Sequence, residues 1–149
     1  MKKIILVALS VLSLSAIAQK EIIVKKDTVA MSKGTQSSFQ VVIPEIKLAE
    51  AEKDWMKYTI SGSKEKVTSV NGENFKKGAL NKNVSPNPFN VYSKLLETTE
   101  GVKLTVWLTE NDTVFIAKEV NSDQNLAAEK YVRDFAVQEY QSVVKKELK

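Results

Sequence analysis

The sequence contains neither cysteine nor histidine among its 149 residues, and Arg133 is its single arginine. Without thiol or imidazole groups, Cys/His zinc sites, Ser-His-Asp triads and Cys-His nucleophile pairs are excluded. Disulfide bonds are excluded too, so the fold depends on the burial of apolar side chains. The sequence therefore predicts no catalytic residue, no metal site and no cofactor.

Positive charge is also scarcer than the formal net charge of +4 indicates. Two of the lysines lie within the first 18 residues, so the rest of the chain carries only about +2. Arginine is the usual residue for bidentate contacts with phosphates and bases, and the chain has almost none. We expect no nucleic acid partner.

The first 18 residues have the three parts of an export signal. Lys2 and Lys3 precede an apolar run, and the segment closes with Ala16-Ile17-Ala18. Small residues two apart are typical of a signal-peptidase site, which predicts cleavage near Ala18. A retained membrane helix is the alternative, but a span needs roughly 20 apolar residues. The sequence predicts an exported protein, periplasmic or secreted, that does not span the membrane.

After residues 1–18, the chain divides into a polar leader, residues 19–37, and a single domain, residues 38–149. This length suits one hydrophobic core. The leader either contributes a brief edge strand or stays flexible. Alternating or β-branched segments predict the strands, Asn71-Gly72 predicts a hairpin turn, and apolar residues at helical spacing predict two helices. The predicted strands are 39–43, 66–70, 73–77, 91–97, 102–109 and 113–118, and the predicted helices are 45–59 and 122–146.

These elements predict a two-layer α+β fold, in which a mainly antiparallel sheet packs against two helices. The sheet contains the hairpin and a three-stranded meander of the last three strands. In the middle strand, Val102 and Leu104 alternate with Lys103 and Thr105, which is typical of one core face and one more polar face.

Aromatic residues are the candidate ligand contacts. Trp107 lies on the meander face opposite Leu104, so this face is either covered or binds a ligand. With Tyr92 and Phe89, which follow the loop containing Pro86 and Pro88, it predicts a binding surface for an envelope component, a glycan or a lipid.

Two catalytic patterns compete with this interpretation. Ser-x-x-Lys begins at Ser61, Ser63 and Ser142, but the accompanying elements of penicillin-recognising enzymes are missing. Carboxylates could hydrolyse a glycoside without histidine if two of them converge in a cleft. Glu97, Glu110 and Asp112 fall near meander ends and are the candidates.

Thr28 and Thr113 each follow aspartate and precede valine, a pattern that some Gram-negative bacteria O-glycosylate after export. The segments Phe39–Pro44, Asp54–Tyr58, Asn90–Tyr92 and Tyr131–Ala136 resemble an uncharacterised family of small exported proteins of Gram-negative bacteria. This resemblance implies a shared fold and export, but no ligand.

Three functions therefore remain open. The first is a non-enzymatic envelope or secreted binding domain. The second is a carboxylate-dependent glycan hydrolase, and the third is a carrier of lipid or another hydrophobic ligand.

Overall fold

The structure is a computed structural model that describes residues 20–119 and 121–149. The predicted signal peptide, residues 1–18, lies outside the described residues. The described residues form six strands, two α-helices and one short 3₁₀ turn. The strands are β1 (Lys25–Met31), β2 (Gly34–Pro44), β3 (Thr68–Val70), β4 (Glu73–Ala79), β5 (Phe89–Thr98) and β6 (Gly101–Thr109). The helices are α1 (Leu48–Ile60) and α2 (Asp123–Glu147), and the 3₁₀ turn is Ile116–Lys118.

All strand pairs are antiparallel, and the sheet order is β1-β2-β6-β5-β4-β3. Both helices pack on one face, so the predicted two-layer α+β architecture is confirmed. The alternation of core and opposite-face residues predicted for β6 is present, because Val102 and Leu104 belong to the main core. The opposite side of the sheet, here called the open face, carries Lys103 and Trp107. The described helices offer no segment long and apolar enough to cross a membrane.

The main core lies between the sheet and the helices. Trp55 of α1 is 1% exposed and packs edge-on against Phe135 of α2, with ring centroids 4.9 Å apart. The predicted apolar face of α2 is confirmed: Ala128, Val132, Phe135, Ala136 and Val143 are all buried. Ser122 caps this helix, its side chain accepting a hydrogen bond from the Asn125 amide.

The Asn71-Gly72 hairpin is also present, because both residues adopt positive φ, 51° and 77°. This pair joins β3 to β4 with the twist that antiparallel strands prefer.

Helix α1 begins three residues later than predicted. Pro44 ends β2, where it pairs with Gly101, and does not open the helix. Glu45 then takes φ 61°, a left-handed conformation that turns the chain before the helix starts. Proline is compatible with a strand end, where a missing N–H costs little.

The predicted third meander strand, residues 113–118, is wrong. Asn111 Oδ1 accepts hydrogen bonds from the backbone amides of Thr113 and Val114, each at 3.1 Å. This side-chain turn competes with strand pairing. Only Phe115 keeps a β-bridge, to Thr109, before the 3₁₀ turn. The segment thereby brings the Phe115 ring onto the open face.

The segment predicted as a polar leader, residues 19–37, contributes more to the sheet than its composition indicates. Strand β1 pairs with β2 along its whole length, from Lys25 opposite Gln40 to Met31 opposite Gly34. It is an edge strand with mostly exposed side chains, so its sequence lacks the apolar alternation of a half-buried strand.

Candidate functional site

The open face carries a second, smaller core. It consists of Tyr92, Trp107 and Phe115, with Val29, Met31 and Phe75 packed against it. Tyr92 and Trp107 are directly paired across β5 and β6, and Phe75 pairs with Tyr92 across β4 and β5. Because aromatic side chains occupy neighbouring positions on three strands, they form one continuous apolar layer.

The sheet curls around this layer. The turn between β1 and β2, at one edge of the sheet, reaches β4 near the other edge. There the Ser32 amide donates to Glu73 Oε2 at 3.1 Å, and the Ser32 hydroxyl donates to Glu73 Oε1. Two hydrogen bonds to one carboxylate fix the turn over the open face, because charge-assisted bonds are stronger than neutral ones.

Trp107 lies at the bottom of this curl. Its side chain is 0% exposed, and its indole N–H donates to the Gln36 carbonyl at 3.2 Å. Tyr92, 5% exposed, donates its hydroxyl to Asp112 Oδ1 at 3.0 Å. Burial, followed by the Asp112 hydrogen bond, raises the pKa of the Tyr92 phenol, so it stays protonated. Both residues support the surface above them.

Phe89 is on the other side of the sheet. It belongs to the main core and meets Tyr131 of α2 edge-on, with ring centroids 5.9 Å apart. Of the three predicted ligand contacts, the structure therefore brings Tyr92 and Trp107 together and separates Phe89 from them. The preceding loop is anchored by Ser85, whose hydroxyl donates to Glu110 Oε1 at 2.5 Å.

A groove of about 460 Å³ opens above this layer, between the β1–β2 turn and the β3–β4 hairpin. Phe75 and Tyr92 form its floor, with ring centroids 4.7 Å apart. The hairpin wall includes Val70, which is 68% exposed. The groove is lined by Ser32, Lys33, Thr68, Val70, Asn71, Glu73, Phe75, Tyr92 and Lys94. An apolar floor with a few polar groups around it is the usual form of a small-molecule site, and the volume lies in the usual range.

Of the residues that line this groove, the sequence predicted only Tyr92 as a ligand contact. Phe75 and Lys94 lie on strands that were predicted, but their meeting with Lys33 depends on the curl of the sheet. Phe75, in an otherwise polar hairpin strand, is the signal that would have found the groove. No family model matches this chain, and no curated protein or solved structure matches it significantly.

The acids predicted as a possible hydrolase pair do not all converge. Glu97 pairs with Val102 at one end of the β5–β6 ladder, whereas Glu110 and Asp112 follow the other end. At roughly 3.4 Å per residue, about 24 Å of β6 separates the two ends. Glu110 accepts from Ser85, and Asp112 accepts from Asn90 Nδ2 at 3.0 Å, so both hold neighbouring loops together.

A different pair of acids meets where α1 packs on α2. Glu139, 6% exposed, lies in hydrogen-bond reach of Asp54 beside a shallow groove. Burial, then the neighbouring Asp54 and Glu50, raises the pKa of Glu139 to about 7, and Lys146 opposes the rise. Asp54 and Glu139 are a different pair from the acids that the sequence predicted, and both line this groove where α1 meets α2. In the sequence, Glu139 could have been recognised as an acid that lies among the apolar positions of α2.

Ser63 has a lysine partner, but this partner is not Lys66, the lysine of the Ser-x-x-Lys motif that begins at Ser63. Lys76 of β4, 1% exposed, donates its ammonium to Ser63 Oγ at 2.7 Å and to the Lys77 carbonyl at 2.9 Å. Burial lowers the pKa of Lys76, and Glu65 opposes this shift. Lys76 thus ties the connection after α1 to the sheet.

The remaining predicted positions are on the surface. Thr28 is exposed on the edge strand β1, and Thr113 is exposed in the turn after β6. Both are therefore accessible to a modifying enzyme. Within residues 20–119 and 121–149, no cluster of three acidic residues has the arrangement of a metal site.

Proposed function

We propose that this protein is a non-enzymatic, exported binding domain that takes a glycan on the open face of its sheet. The observation that carries the proposal is the aromatic-floored groove between Lys33 and Val70. Export rests on the signal sequence in residues 1–18. The ligand would be a component of the cell envelope or of the surroundings.

The groove chemistry supports a saccharide. Sugar rings present C–H faces that pack on aromatic rings, and Phe75 is the partly exposed ring of the floor. Thr68 and Asn71 supply a hydroxyl and an amide at the rim, which match the alternating donors and acceptors of sugar hydroxyls. The Ser32–Glu73 contact pre-forms the groove, which lowers the ordering cost of binding.

Substitution of the floor tests the proposal. Phe75→Ala removes the partly exposed ring and should weaken saccharide binding at least fivefold, because stacking of a planar ligand such as a nucleobase on an aromatic ring contributes about 1–3 kcal/mol. Isothermal titration calorimetry with a panel of envelope oligosaccharides measures the loss. Leu126→Ala, at an exposed apolar position on α2 that is not part of the groove, is the matched control.

Equal affinities of Phe75→Ala and wild type for every saccharide that binds would contradict the proposal. Circular dichroism confirms that the variant is folded before the comparison is made.

The two other functions have less support. A lipid carrier needs space between sheet and helices, and Trp55, Phe89 and Phe135 fill that space. A glycan hydrolase needs two carboxylates that face each other across a cleft, whereas Glu97 lies at the opposite end of the β5–β6 ladder from Glu110 and Asp112.

A further inference from the structure

The charges of the groove do not cancel. Glu73 is balanced from two sides: Ser32 donates two hydrogen bonds to it, and Lys94 Nζ lies 4.0 Å from its Oε2. Only a tenth of the Glu73 side chain is exposed, so its negative charge is compensated by groups within the protein.

Lys33 carries the remaining charge of the groove. It is exposed on the groove side of the β1–β2 turn, and across the described residues no carboxylate lies within 4.0 Å of its ammonium. Its backbone is held in place, because Gln36 Nε2 donates to the Lys33 carbonyl at 2.9 Å. The groove therefore presents one uncompensated positive charge beside an aromatic floor.

We infer that the ligand of this groove is an acidic saccharide, a sugar whose ring packs on Phe75 while its carboxylate faces Lys33. This inference rests on the proposed function and adds the charge of the ligand. A single excess positive charge matches a monoanionic carboxylate. A lysine ammonium acts as a point charge, so it imposes no bidentate geometry on the carboxylate.

Lys94 has a supporting role. Its ammonium is at the limit of ion-pair distance from Glu73, and about a third of its side chain is exposed. It neutralises Glu73, which would otherwise repel an anion from the floor. Without Lys94, the groove would carry no net positive charge.

The test compares two ligands with the same ring and different charge: galacturonic acid, which carries one carboxylate, and its methyl ester, which carries none. Isothermal titration calorimetry should show the acid binding about threefold to fivefold tighter than the ester, the range of one solvent-accessible ion pair. Lys33→Gln should remove this preference without weakening ester binding. Lys82→Gln, at an exposed lysine not lining the groove, should keep it.

Salt gives a second readout. Raising sodium chloride from about 0.05 M to about 0.5 M should weaken binding of the acid and leave the ester unchanged, because salt screens exposed charges. If acid and ester bind equally and Lys33→Gln changes neither, the inference is overturned and the binding groove stands. If neither ligand binds, and no other saccharide depends on Phe75, the proposed function falls with it.

Discussion

At the scale of single residues, three charged side chains sit in unusual surroundings. Glu73 and Lys76 have partners that satisfy them, a serine turn for the first and two oxygen acceptors for the second. Glu139 differs from both, because the carboxylates of Asp54 and Glu50 face it. Burial and these like charges raise the pKa of Glu139, so the stability of the protein depends on pH through this residue.

Glu139 should make the protein less stable as pH rises. Folding raises its pKa from 4.5 to about 7, so the native state binds a proton that the unfolded chain has already released. The contribution of Glu139 to the free energy of unfolding therefore falls as pH increases from about 4.5 to about 7, and is constant outside this interval. Glu50 and Asp54 from α1 and Lys146 from α2 are the charges that face it.

Replacement by glutamine isolates this effect. Glu139→Gln should match wild type near pH 4.5, where Glu139 is protonated, and should be more stable near pH 8 by about 1–2 kcal/mol, less than the full shift because the groove is open to water. Urea denaturation at both pH values measures the difference. Glu147→Gln, at the exposed end of α2, should change stability at neither pH. An identical gain at both pH values would refute the assignment.

At the scale of elements, the sequence correctly predicted features that depend on residues close together in the chain. The Asn71-Gly72 turn, the alternation of Val102 and Leu104 and the apolar face of α2 each depend on neighbouring residues only, and each was correct. The strand predicted at residues 113–118 is absent because the Asn111 side chain accepts hydrogen bonds from backbone amides that a strand would use for pairing. Strand β1 was underestimated because an edge strand needs no apolar alternation.

One element boundary depends on a glycine. Gly101 opens β6 at φ 147°, and a Cβ there would lie 2.1 Å from the Ile43 carbonyl oxygen. Gly101→Ala should destabilise the protein by about 3 kcal/mol, because backbone must move to relieve the clash. Gly78→Ala is the control, since its φ is also positive but no atom lies within 4 Å.

Thermal or urea denaturation compares the two variants. Gly78→Ala should cost only about 1 kcal/mol, the strain of positive φ alone. Equal losses of stability in both variants would show that the close approach of β2 to Gly101 is not the reason why glycine is required there.

At the scale of the whole molecule, the curl of the sheet creates the candidate site. Ser32 and Glu73 lie 41 positions apart in the chain, and the β1–β2 turn that carries Ser32 joins two strands that do not pair with β4. No local pattern reports such a contact, so the sequence predicted aromatic candidates on the correct strands but not the groove. Phe89 was misplaced for a simpler reason, since its position relative to Tyr92 puts it on the opposite face.

The central claim is that ligands bind on the open face, and mapping by nuclear magnetic resonance tests it most directly. Isotope-labelled protein is titrated with an oligosaccharide that binds, and the shifted backbone amides are located. We predict that the largest shifts cluster at Lys33, Asn71 and Phe75, with a smaller shift of the Trp107 indole N–H beneath the floor. Shifts concentrated along the α1–α2 seam, around Asp54 and Glu139, with the open face unchanged, would contradict the account.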